Sequence, residues 1–385
     1  MRPALAERIR GHREQRRAAG LDRARQPVAR LGPGLRSLVD GRELIDFSSN
    51  DYLGFGARTV SVEAAGGASA SPLVSGHSRR HADLEAALCD FTGFEACCLF
   101  PSGYQANLAV GQALLERGDR VLADRLNHAS LNDGPRLAGA RIQRYRHADA
   151  AAARKRASPD CRMLVSDSVF SMDGDLAPLP ALARLADDRD LALWVDDAHG
   201  LGVLGTTGRG ALEALGLAPE RVDVYVATFG KALGSAGAFV AGERGLIEHL
   251  ENHARGLIYS TALAPFLVEA TLDHLQRLRD EPEHRLRLHD HIRRFRRLAS
   301  AAGLGLLDSP TAIQILPVGD NDEAMAWSQA LAEAGFLVKA IRPPTVPTGT
   351  ARLRLTLSAA HSSQDIDRLC ETLATLARRP RTAAC

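Results

Sequence analysis

Val222-Asp-Val-Tyr-Val-Ala-Thr228-Phe-Gly-Lys231-Ala-Leu-Gly234 is the stretch on which the reading of this chain turns. Its first half is a short apolar run without strict alternation, as buried parallel strands usually are. The run ends at Thr228, and a lysine follows among small and apolar residues. Surface charge gives little reason for a lysine there. Burial in such surroundings lowers an amine's pKa and favours the neutral nucleophile. Gly230 and Gly234 leave space for a planar ring close to the backbone. The ordinary alternative is a side chain that snorkels to water. Only Lys155, Lys231 and Lys339 are lysines; all other fixed positive side-chain charge is arginine. Lys155 sits in the charge run Arg154-Lys155-Arg156, and Lys339 has no acid cluster beside it. Lysine chemistry therefore points to Lys231.

Comparable apolar runs occur at Ala96–Phe100, Arg120–Ala123, Met163–Ser166, Leu191–Val195 and Ala236–Ala241. Helical stretches such as Tyr104–Glu116 and Leu179–Asp188 separate them. This strand–helix rhythm predicts an α/β domain with a mostly parallel sheet. From about residue 267 a long helical stretch runs past Arg297. Apolar runs at Ala312–Leu316 and Phe336–Ile341, a strand-like Arg352–Leu357 and a helix from Ser363 then suggest a smaller α+β domain. Residues 1–45 read as a helical arm, 46–280 as the large domain and 281–385 as the small one. A chain of 385 residues, at roughly 100–200 residues per domain, suits that division.

Composition excludes several classes. Hydrophobic residues are 45% and charged residues 24%, ordinary for a soluble globular protein. A net charge of +2 gives no strong field for nucleic acid or membrane. No apolar run approaches the ~18 residues of a membrane span. The arginine-rich N-terminus lacks the apolar core of a secretory signal, and Glu7, Glu14 and Asp22 make it an amphipathic surface helix rather than an organelle leader. Cys89, Cys97, Cys98, Cys161, Cys370 and Cys385 form no Cys-x-x-Cys pair and lie near no histidine cluster. They read as reduced thiols of a cytoplasmic protein, with no metal site.

Ligand sites in such sheets gather where strands end. After Leu191–Val195 comes Asp196-Asp-Ala-His199-Gly200, two acids and a histidine that burial would make costly without partners. A carboxylate facing a cationic nitrogen is the functional reading, and a solvated turn is the bland one. After Ala96–Phe100 comes Pro101-Ser-Gly103-Tyr104, a turn opening a helix, whose free N–H groups suit an anion. Ser-Gly there is by itself an ordinary N-cap. Beside Thr228 it becomes a phosphate cradle. His128 follows another strand and could stack on an aromatic ring or be structural; Ser171, also at a strand end, has no role fixed by position alone. An acid, a lysine after it, an anion-binding helix start and a stacking histidine together suit pyridoxal phosphate (PLP), whose ring accepts electrons when its nitrogen stays protonated.

These residues carry a resemblance to the α-oxoamine synthases, fold-type I PLP enzymes. Phe47-Ser-Ser-Asn-Asp-Tyr-Leu-Gly54, Asp124-Arg-Leu-Asn-His-Ala-Ser130, Val169-Phe-Ser-Met-Asp-Gly-Asp175, Asp196-Asp-Ala-His-Gly200 and Thr228-Phe-Gly-Lys231 resemble family segments from about residue 20 to about 370. Ile341-Arg-Pro-Pro-Thr-Val-Pro347 and Leu353-Arg-Leu-Thr-Leu357 resemble the branch serving biotin synthesis. The resemblance implies a seven-stranded, mostly parallel sheet flanked by helices, with a smaller C-terminal domain. It implies a Schiff base on Lys231, Asp196 at the pyridine nitrogen, His199 at the ring hydroxyl and His128 on the ring face. It places Gly103, Tyr104 and Thr228 at the phosphate and Ser171 against the cofactor. It gives Arg354 the amino-acid carboxylate, a task suited to its planar fork. It associates Arg23, Asn50, His128 and Thr345 with substrate or product. It also implies a homodimer with a shared active site. The implied reaction is decarboxylative condensation of L-alanine with a pimeloyl thioester, on coenzyme A or acyl carrier protein. Sister synthases that use glycine, ordinary aminotransferases and non-catalytic partner subunits are the alternatives; partner subunits typically lose the lysine kept here. One segment departs from the family. Ala68-Ser-Ala-Ser-Pro72-Leu-Val-Ser-Gly76 stands where glycines are usual, so the loop geometry near the acyl substrate is open.

Overall fold

The structure is a computed structural model that describes residues 1–378 apart from 19, 23, 24, 33 and 59–63. A seven-stranded sheet forms its centre. In chain order the strands are Ala96–Phe100 (β1), Arg120–Asp124 (β2), Arg141–Tyr145 (β3), Cys161–Asp167 (β4), Ala192–Asp196 (β5), Val224–Thr228 (β6) and Ala238–Gly242 (β7). They lie in the order β1-β7-β6-β5-β4-β2-β3. Only β7 runs against its neighbours; the other pairings are parallel. Strands β1 to β6 therefore finish at one edge. Both faces are covered, as a parallel sheet requires. Leu193 and Val195 of β5 point into one apolar cluster and Trp194 into the other. The apolar runs lacked polar alternation for this reason.

Strand β3 was not anticipated. It reads Arg-Ile-Gln-Arg-Tyr and lies at the sheet's edge, where only Tyr145 is fully buried. Polar edges of this kind discourage pairing with other chains, and they also blur the apolar signal. The long helical stretch after residue 267 is two helices, Pro265–Asp280 and Glu283–Ala301. Pro282 separates them, because proline has no N–H to give and its ring clashes with the preceding turn.

Residues 36–46 do more than connect. Arg36–Val39 and Arg42–Asp46 pair antiparallel, and Arg42–Asp46 pairs parallel with Phe336–Leu337. A second small sheet joins Ile313–Gly319, Ala351–Thr356 and Lys339–Ile341. Every residue of Ala351–Thr356 is buried, so its arginines enter the interior. In the departing loop, Ser69 takes the left-handed conformation (φ +63°) that a glycine would supply. Pro72 opens a short helical turn, Pro72–Gly76, whose N–H groups at Val74, Ser75 and Gly76 all meet the Ser71 carbonyl.

Helices Gly103–Leu114 and Ala129–Ala138 cross backbone to backbone. A Cβ on Gly111 would sit 2.4 Å from the Gly134 carbonyl carbon, and one on Gly134 would sit 2.5 Å from the Asn107 oxygen. The crossing fixes where Asn107 points. Overpacking a fitted contact costs ~1–3 kcal/mol. Gly111→Ala is expected to lose about 2 kcal/mol in urea unfolding, and unchanged stability would refute the tight crossing.

Candidate active site

Every strand from β1 to β6 except β3 delivers a polar side chain to the shared edge. Gly103 and Tyr104 follow β1, His128 follows β2, Ser171 follows β4, Asp196 ends β5 with His199 behind it, and Lys231 follows Thr228 of β6. All eight residues proposed from sequence to hold a cofactor line one cavity of about 210 Å³. Roomier grooves of about 570 and 670 Å³ lie elsewhere, but neither gathers a lysine with buried acids. Chemistry rather than size marks the site.

The Lys231 amine makes no hydrogen bond or ion pair among the described residues. Burial lowers its pKa to about 8, against the pull of Asp196 and Asp167. Asp196 is buried and also lacks an ion pair among the described residues. Its Oδ2 accepts from Asn107 Nδ2 at 2.6 Å and its Oδ1 from the Ala198 N–H at 3.0 Å. An unpaired amine and an unpaired carboxylate on one cavity wall suit a group with both an electrophilic carbon and a cationic nitrogen.

The second acid of the motif plays a different part. Asp197 turns away and is completely buried. Its carboxylate accepts from Ser168, from Tyr225 at 2.8 Å and from the Ala211 N–H at 2.9 Å. Burial pushes its pKa up to about 6 even so. It ties the turn after β5 to the frame.

The histidines are held as neutral rings. His199 is pushed far below its usual pKa by burial and by the nearby charges of Lys231 and Arg354. Its Nδ1 lies 2.5 Å from the Tyr52 hydroxyl. His128 is lowered by burial, with Asp196 opposing and Lys231 adding. It caps helix Ala129–Ala138; its Nδ1 is 2.7 Å from Ser130 Oγ, and its backbone N–H donates to Asp167 Oδ2 at 2.6 Å. Burial and the neighbouring Asp196 charge drive the Asp167 pKa well up.

The residues read from sequence as an anion site meet at the start of helix Gly103–Leu114. Ser102 caps the twelve-residue helix Gly103–Leu114 by accepting from the Gln105 N–H at 3.2 Å. A Cβ on Gly103 would meet Thr228 Cβ at 3.7 Å, so the helix start and Thr228 are neighbours. The Thr228 hydroxyl donates to the Gly237 carbonyl at 2.8 Å, and a phosphate oxygen would have to draw that proton away. Tyr104 is 44% exposed, and its hydroxyl donates to Asp133 at 2.6 Å.

Arg354 and Asn50 come together beside this cavity. Arg354 Nη2 donates to Asn50 Oδ1 at 3.1 Å, its Nε to the Ser171 carbonyl at 2.6 Å and its Nη1 to Thr356 Oγ1 at 3.0 Å. No carboxylate pairs with Arg354 among the described residues. Its neighbour on the same strand face, Arg352, does pair, with Asp173 at 2.7 Å. His147 sits between Asp124 and Asp175, at 3.0 and 2.8 Å. Thr345 stands exposed in the segment after Lys339–Ile341, outside the cavity wall. Arg23 lies outside the described residues. Sequence reasoning gave no role to Asn107, Ser130, Asp167 or Tyr52. Tyr52 and Ser130 fell inside quoted segments, and the polar side chain of Asn107 on the otherwise apolar buried face of helix Gly103–Leu114 was the available signal for it.

The family pattern described as aminotransferase class I and II matches residues 42–373. The chain is 54% identical over 350 residues to an 8-amino-7-oxononanoate synthase of Methylococcus capsulatus, covering 88% of this chain and 90% of that one. It is 50% identical over 370 residues to the enzyme of that name in Pseudomonas putida strain W619, covering 94% and 95%. A solved serine palmitoyltransferase of S. paucimobilis with a bound PLP–myriocin aldimine superposes with a TM-score of 0.89 at 27% identity, covering 98% and 99%. The 8-amino-7-oxononanoate synthase of Francisella tularensis superposes at 0.76 and 28% identity, covering 87% and 98%.

An amine held near pKa 8 should react with acylating reagents at moderate pH. Labelling of Lys231 in the cofactor-free chain is expected to rise with a midpoint near pH 8, read by peptide mass spectrometry. A midpoint at the ordinary 10.5 would contradict the buried environment.

Proposed function

The chain belongs to the 8-amino-7-oxononanoate synthase family of fold-type I PLP enzymes, and from that premise we propose that it condenses L-alanine with a pimeloyl thioester. The products are 8-amino-7-oxononanoate, CO₂ and the free thiol of coenzyme A or acyl carrier protein. The observation that carries the reading is the unpartnered Lys231 amine in one cavity with buried Asp196.

We assign PLP to that cavity. When bound, PLP supplies an aldehyde for an amine and a ring that accepts electron density from the substrate's Cα. Lys231 would anchor it, and its amine, when free, would take a proton at the substrate's Cα and return one. Asp196 keeps the ring nitrogen cationic, held in place by Asn107. His199 donates to the ring hydroxyl, and Ser171 lies against the cofactor. Gly103, Tyr104 and Thr228 receive the phosphate at the helix start, where free N–H groups and the dipole favour negative charge. His128 covers the ring face and polarises the thioester carbonyl as charge develops on its oxygen.

Arg354 receives the alanine carboxylate. Its guanidinium is already oriented by Ser171, Thr356 and Asn50, so little freedom remains to be lost on binding. That carboxylate is the group later lost as CO₂. Asn50, Thr345 and Arg23 complete the substrate contacts. The arm, large domain and small domain keep the boundaries given above, and the cytoplasm is the compartment in which the five described cysteines, all free, stay reduced.

We also propose a homodimer with a shared active site. Helix Pro3–Ala18 has no buried residue, and Leu5 and Ile9 are exposed on it. Isolated helices of this length are marginal in water, so a partner surface would supply the missing support.

The purified holoenzyme is expected to release CO₂ and form product with L-alanine and pimeloyl-CoA, with glycine and shorter thioesters poor. Preference for glycine would move the chain to a sister synthase. Lys231→Ala should lose both turnover and the cofactor's visible band. Light scattering should give twice the 41.3 kDa chain mass, and an active monomer would refute the shared site.

A further inference from the structure

Tyr52 has no part in the chemistry described so far, yet it joins the two halves of the site. It is 1% exposed, and its carbonyl is fixed by the Ala359 N–H at 2.8 Å. Its hydroxyl lies 2.5 Å from His199 Nδ1 and 3.4 Å from Asn50 Oδ1. Burial lifts the phenol's pKa to about 12, with the nearby Arg354 charge opposing.

Counting protons decides which way the bonds run. The phenol has one proton to give. Asn50 Oδ1, at 3.4 Å, is at the limit of a hydrogen bond and already accepts from Arg354 at 3.1 Å. His199 Nδ1 is nearly an ångström closer and takes the proton. A buried, neutral imidazole has a single N–H. With Nδ1 accepting, that hydrogen is on Nε2. The ring lines the cavity, and Nε2 has no protein partner among the described residues.

We propose that Tyr52 is a positioning residue that locks His199 in the Nε2–H form and aims that N–H at the cofactor. The assignment rests on the PLP reading above. It also links the carboxylate pocket to the ring: Asn50 Oδ1, which accepts from Arg354, lies 3.4 Å from the hydroxyl that sets the histidine.

The test is ¹⁵N NMR of histidine-labelled holoenzyme, with the His199 signals assigned through His199→Asn. The wild-type chain should have a protonated Nε2 and a bare Nδ1 at residue 199. Tyr52→Phe keeps the buried ring and should let Nδ1–H appear. The visible absorbance gives a second readout. An N–H aimed at the ring hydroxyl favours its anionic form and holds the absorbance midpoint down. Losing it should raise the midpoint by about one to two pH units. A wild-type His199 protonated on Nδ1, or a Tyr52→Phe holoenzyme with unchanged tautomer and midpoint, overturns the proposal. The first of these needs no variant, so a misfolded Tyr52→Phe does not shield the idea. A wild-type chain that takes up PLP with no visible band fails the functional reading instead.

Discussion

The Lys231 amine is kept inside a cavity wall without a partner among the described residues, and the surrounding structure compensates for that cost. A lone buried ammonium is expensive, so the amine sheds its proton more readily and becomes a nucleophile. Asp196 opposes this from the same cavity without forming an ion pair. A closer acid would trap the lysine as an inert salt bridge. Burying both groups while keeping them unpaired is the arrangement that a covalently anchored, cationic ring completes.

The parallel sheet makes that arrangement possible. Strands sharing a direction bring their ends to one edge, so residues more than a hundred positions apart in sequence meet in about 210 Å³. Precision then comes from the layer behind. Asn107 steers Asp196, and the Gly111–Gly134 crossing steers Asn107. Asp197 fastens the turn that carries His199. Ser171 and Asn50 orient Arg354, and Tyr52 lies between Asn50 and His199. The electrostatics follow from this packing: burial lowers the pKa of both histidines, with Lys231 and Arg354 adding at His199 and Asp196 opposing at His128.

The residues legible in sequence share one property. Gly103, His128, Ser171, Asp196, His199 and Lys231 each come at or just after an apolar run, and strand ends are where such folds bind ligands. Position along the chain was enough to nominate them. Asn107, Ser130, Asp167 and Tyr52 were not nominated, because their parts are defined by a partner across the fold. A polar residue within a helix or loop gives no sign of which carboxylate or imidazole it will meet. Asp196 and Asp197 read as one motif, yet one faces the cavity and the other the frame; strand pleat separates neighbours in this way. Edge strand β3 escaped notice because its arginines mask the apolar pattern, whereas Pro282, in plain view, marked a helix break that periodicity alone ran through.

The central claim is that one particular amine bonds to the cofactor. Borohydride reduction of the PLP-loaded chain, followed by proteolysis and peptide mass mapping, tests it directly, since only three lysines compete. The account predicts a pyridoxyl group fixed on Lys231 alone. Its appearance on Lys155 or Lys339, or on no lysine in a chain that retains its yellow colour, would contradict it.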